Sequence, residues 1–156
     1  PYDNVDEEFL LKPKKWNTKG LGTFMNVMGP VSSIIDVLAF LSFWFILGYN
    51  QTVNESYFQT AWFVECLISE TLIIHFIRTS KVPFVQSKAN PILTCLTIVT
   101  IVGTILAPIV LHNIKSFHFE LLPPLYYVLV VGLTILYVIL VQIVKKIYIN
   151  KFGNWL

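Results

Sequence analysis

With 156 residues, 55% of them hydrophobic and only 13% charged, the chain departs from the roughly one-quarter charged composition of soluble domains and predicts several bilayer spans. The net charge of +2 gives no case for nucleic acid as a partner, because the 11 Lys and Arg residues flank apolar stretches rather than line one face. Cys66 and Cys95 have no CxxC spacing and no histidine at ligand distance in sequence, which argues against a disulfide framework or a zinc site and for two thiols packed as small hydrophobes.

Residues 1–22 read as an aqueous loop. Asp3, Asp6, Glu7 and Glu8 precede Lys12, Lys14, Lys15 and Lys19, and Pro13 and Gly20 oppose a long helix. The chain opens on Pro1 with no initiator Met and no visible signal peptide, which predicts an excised segment rather than a natural start. A first span is expected over residues 23–47. In it Asn26, Gly29, Ser32, Ser33 and Asp36 fall within an arc of about 120°, a small and polar face of the kind helix packing in lipid requires. Pro30 is expected to kink this helix or open it locally. Asp36 has two readings, a hydrogen-bonded tie between helices or part of an ion path.

Residues 48–57 form a short loop without Lys or Arg, and its two sequons, at Asn50 and Asn54, read as chance matches. The second span, 58–77, has the length that roughly 20 residues at about 1.5 Å each need to cross a ~30 Å hydrocarbon core. Glu65 and Glu70 sit inside it, where a charged side chain costs about 2.5–3.5 kcal/mol, so each must face protein, water or an ion. Glu65, Cys66, Ser69 and Glu70 share an arc of about 140°. Trp62, Leu72, Ile73 and Ile77 cover much of the remainder, and His75 reads as a polar residue at the span's end, on a face with Thr71 and Arg78.

The third span, 92–111, carries Thr94, Thr97, Thr100 and Thr104 with Gly103 and Ala107, all explained by back-bonding and close helix packing. A loop with Lys115, His118 and Glu120 follows, and Pro123 and Pro124 start the last span, 125–149. Tyr126, Tyr127 and Trp155 read as interface anchors, Gln142 as an interhelical hydrogen bond, and Lys145, Lys146 and Lys151 as the basic flank. With both termini and the 78–88 loop inside, ten of the eleven basic residues lie in the cytoplasm and only Lys115 outside. The expected fold is therefore an all-α membrane protein, a four-transmembrane-helix bundle with both termini cytoplasmic. Its domains are a cytoplasmic loop at 1–22 and a helical membrane domain at 23–156. No phosphate-binding loop, HExxH, nucleophile elbow or Asp-Lys-Thr-Gly-Thr phosphorylation motif occurs, so the segment itself carries no catalytic residues.

Four stretches go further: the opening PYDNVDEEFLLKPKKW, then GPVSSIIDVLAF, the pattern FQTAWFVE…TLIIHFIRTSKVPFVQSKA, and the closing VKKIYINKFGNWL. Together, over nearly the whole chain, they closely resemble the last four membrane helices, seventh to tenth, of bacterial magnesium-transporting P-type ATPases. The resemblance implies a C-terminal membrane domain that supports ion-carrying helices during an ATP-driven cycle of Mg2+ import across the bacterial plasma membrane. It implies as partners the lipid bilayer, the preceding transmembrane helices and the cytoplasmic ATPase domains of the same protein, with Mg2+ both as cargo and, with ATP, in the full-length enzyme. Mg2+ is a hard ion that takes oxygen ligands and keeps water, so Glu65 is the best-placed candidate, with Asp36 and Glu70 as further ion-path or bundle-stabilising acids. At position 70 the family more often has an amide, and the acid is a departure. A Ca2+ or Na+ pump segment, and an independent four-span channel or accessory subunit, stand as alternatives.

Overall fold

The structure, a computed structural model, describes residues 18–153 and 155; of the expected aqueous loop, residues 1–17 lie outside the described part. Four helices follow one another: α1 (Thr18–Leu41), α2 (Glu55–Ile77), α3 (Pro91–Leu111) and α4 (Pro124–Phe152). Each is long and apolar enough to cross a membrane, and no strand occurs among the described residues.

α1 begins at Thr18, ahead of the expected boundary, and runs unbroken through Pro30. Its departure from α geometry comes instead at Ser42–Ile46, a π-helical turn in which the Leu47 N–H reaches back to the Ser42 carbonyl. Ser42 Oγ donates to the Leu38 carbonyl at 2.7 Å, a competing bond of the kind that loosens a helix ladder. Gly48, at φ 72°, then turns the chain in a conformation that costs other residues dearly. Pro91 and Pro124 occupy first-turn positions, where a missing N–H is no loss, and the Asn90 side chain caps α3 by accepting from Ile92 N at 2.8 Å. α4 ends on Gly153 at φ 76°, whose N–H bonds the Ile149 carbonyl.

α2 touches all three other helices, whereas α1 lies mainly along α4 and α3 mainly along α2. Two core clusters result. One joins Ala39, Phe43, Ala61, Val64, Ile68, Tyr126, Val130 and Leu133. The other joins Phe24, Met28, Val31, Ile35, Phe76, Tyr137, Val141, Tyr148 and Trp155. The change of cluster falls between Ile35 and Ala39 on α1, between Ile68 and Phe76 on α2, and between Leu133 and Tyr137 on α4, so the three helices share one seam.

Two expected interface anchors are core residues instead. Tyr126 is fully buried, with its hydroxyl donating to the Ala61 carbonyl at 2.7 Å. Trp155 is buried too, its Nε1–H donating to the Ile77 carbonyl at 3.0 Å. A large ring whose polar tip finds a carbonyl inside the protein gains more from burial than from lying at an interface.

Candidate functional site

α2 is the one long helix of the four that contains neither Gly nor Pro, the two residues that most often kink a helix. Three of its hydroxyls donate to its own backbone, Thr60 to the Ser56 carbonyl, Ser69 to that of Cys66 and Thr71 to that of Leu67, while Thr60 Oγ1 also accepts from the Glu120 N–H at 3.1 Å. Such bonds use up these hydroxyl donors and leave the carboxylates and His75 as its main polar groups.

The acids do not face one way. Asp36 from α1 and Glu70 from α2 line a small cavity of about 160 Å³, with Ser32, Cys66, Ser69 and Tyr137 among its walls. This cavity lies on the seam between the two core clusters. Ser32 Oγ and the Tyr137 hydroxyl are hydrogen-bonded at 2.9 Å across it, linking α1 to α4. Glu65 is not on the cavity wall. It is 3% exposed, and its Oε2 is buried with no hydrogen-bond partner among the described residues. The arc of about 140° that joins Glu65 to Glu70 places them at its two ends, so burial of one turns the other to the cavity. Among the described residues no three His, Cys, Asp or Glu side chains come together as a ready-made metal cage. The arrangement offers carboxylate and hydroxyl oxygens around a space large enough for water, which suits a partly hydrated hard cation rather than a dehydrated one.

Other polar residues follow the sequence reading only in part. His75 lies in the last turn of α2, as expected of a polar residue at the span's end, and is buried there at 1% exposure, with Nε2 at 2.7 Å from Thr97 Oγ1 on α3 and its ring 4.7 Å from that of Phe84. Gln142 forms no interhelical bond through its Nε2, which is buried without a partner among the described residues. Lys145, expected in the basic flank, is buried at 2% exposure. Its Nζ donates to the carbonyls of Phe76 and Thr79 at 2.8 Å each and of Lys81 at 3.2 Å, and it sits 5.0 Å from the centre of the Trp155 ring. A signal for it exists in the sequence. Tyr126, Val130, Leu133, Tyr137, Val141, Lys145 and Tyr148 form one buried stripe with steps of three and four residues, and Lys145 falls in step.

Four helices apolar enough to cross a membrane, with an acid-lined cavity among them, define a multi-pass helical membrane domain. The description "Cation transporting ATPase, C-terminus" belongs to the family model that matches residues 1–147, and the chain is a member of that family. It is 37% identical over 156 residues, 99% of this chain, to the magnesium-transporting ATPase, P-type 1, of Salmonella typhimurium strain LT2. To the protein of the same name from Escherichia coli K12 it is 41% identical over 155 residues, 98% of this chain. The chain spans about 17% of the length of these curated relatives.

Proposed function

We propose that this chain is the C-terminal membrane domain of a P-type pump that brings Mg2+ into a bacterial cell, anchored in the plasma membrane with both termini cytoplasmic. Its helices would pack against preceding membrane helices of the same protein and respond to its ATP-driven domains, where Mg2+ also accompanies ATP. The relatives' names support the ion, and the Lys and Arg distribution supports the topology.

The observation that carries an ion role is the orphaned Glu65 Oε2. A buried carboxylate that keeps its charge is costly without a partner, so its complement comes from the cargo, its water, or groups outside the described residues. We assign Glu65 to the ion itself or its inner water, and Asp36 and Glu70 to the hydrated cavity beside it. Mg2+ sheds water reluctantly, and a site with one direct carboxylate and two further acids at the water shell matches that habit.

The test is the Mg2+ dependence of ATPase activity at fixed MgATP in the full-length pump. Glu65→Gln keeps shape while removing charge, and the half-saturating Mg2+ concentration is expected to rise tenfold or more, about 1.4 kcal/mol. Glu70→Gln is expected to shift it less. An unchanged curve for Glu65→Gln, with only a lower melting temperature, would retire the ion role and leave a structural tie. For the topology, single cysteines at Thr52 and Ser116 in a Cys-free background should react with an impermeant thiol reagent from outside intact cells. One at Ser87 should stay unlabelled, and its labelling would invert the arrangement.

A further inference from the structure

We propose that Lys145 is a positioning residue for the carboxylate helix: gripping the last carbonyls of α2 from α4, it sets the depth and rotation at which α2 presents Glu65. The inference rests on the ion role proposed for Glu65. At a helix C-terminus the final carbonyls have no intrahelical donors and carry the negative end of the helix dipole, so a cation placed there meets both needs at once. Lys145 does this from another helix. Its ammonium reaches the Phe76 carbonyl in the last turn of α2 and those of Thr79 and Lys81 just beyond. Trp155 adds the neighbouring Ile77 carbonyl through its indole N–H and offers its ring face to the same ammonium.

The grip is matched at the far end of the helix. Tyr126, near the start of α4, donates to the Ala61 carbonyl, one turn before Glu65 and the acceptor for the Glu65 N–H in a regular helix. α4 therefore holds α2 at Ala61 and again at Phe76, about 22 Å apart along the axis at 1.5 Å per residue. Between these points α2 has no Gly or Pro to serve as a hinge, and only the Ser69 and Thr71 hydroxyls compete for its backbone, so a shift at the Lys145 end is carried in part toward Glu65. The loop beyond is tied as well, with Arg78 donating to the Ser87 carbonyl and hydroxyl oxygens. A buried cation is a costly way to hold a helix that needed only apolar contact, which marks orientation rather than adhesion as its use.

The experiment uses the full-length pump in native membrane lipids, with amide hydrogen exchange over residues 74–81 and the Mg2+ titration at fixed MgATP read side by side. Lys145→Met, similar in length but without charge or donors, should speed exchange there at least tenfold and raise the half-saturating Mg2+ concentration at least threefold. Lys145→Arg should recover a good part of both shifts, and Lys151→Met, exposed on the same helix, should move neither. If exchange accelerates while the Mg2+ curve stays put and Glu65→Gln still shifts it, Lys145 is only a cap; the positioning role falls and the ion role stands. If Glu65→Gln itself leaves the curve unmoved, the ion role falls and this inference goes with it. Should Lys145→Met fail to accumulate, Trp155→Phe keeps a ring but removes the bond to Ile77, and smaller shifts in the same directions are expected. No shift in either measurement for Trp155→Phe would overturn the inference.

Discussion

α2 and α3 are neighbours of nearly equal length, yet one is the hub of the bundle and the other its edge. α3 is the more apolar of the two and carries no acid, and it packs mainly on one partner, leaving Ile98 and Val99 facing outward at 57% and 61% exposure. α2 carries Glu65, Glu70 and His75, touches every other helix and buries two of those three. In a bilayer the outward face of a helix is already in an apolar solvent, so apolarity marks lipid contact and polar residues mark protein contact or function. The more strongly hydrophobic span is thus the less informative one.

Substitutions that treat the two helices alike should separate them. The largest difference is expected in packing: Tyr126→Ala removes the buried ring that bears on α2 and should cost about 3–5 kcal/mol, whereas Ile98→Ala on the outer face of α3 should stay within about 0.5 kcal/mol. Thermal melting of the full-length protein in detergent reports both, and equal losses would erase the distinction between hub and edge. Next comes the ion readout. Glu65→Gln is expected to move the Mg2+ curve by about 1.4 kcal/mol, while Thr100→Val, on the exposed side of α3, leaves it in place. The smallest effect concerns the link between the two helices. Thr97→Val removes the His75 partner and should lower stability by about 0.6 kcal/mol, typical of interhelical hydrogen bonds in membranes. Thr100→Val should cost nothing measurable in the same melt, and a matching loss would mean that the His75 contact contributes no more than an exposed threonine.

Much of the layout could be read from residue order. Span length, the acids inside spans and the flanking prolines set four helices close to where they stand, since those signals depend on local composition alone. The turn at Ser42–Ile46 was not legible, because a π-helical step depends on how the helix end meets its neighbours. The site was legible in part. Asp36, Glu65 and Glu70 stand out in any reading of intramembrane charge, but a helical wheel gives angles without saying which angle another helix will cover. Contact with α1 and α4 is what sent Glu65 inward and left Glu70 on the cavity with Asp36.

By itself, then, the sequence determined four stretches apolar enough to span a membrane with three acids inside them, because the cost of a charge in hydrocarbon is a property of the residue and its position in the span. Only the tertiary structure decided that Lys145 and Trp155 turn inward to hold the end of α2. Near a span terminus a lysine can reach water or bend back into the protein with similar covalent ease, and the choice falls to whichever acceptors another helix presents. Here those acceptors are the carbonyls of Phe76, Ile77, Thr79 and Lys81, distant in sequence and brought within about 3 Å by the packing of α4 on α2.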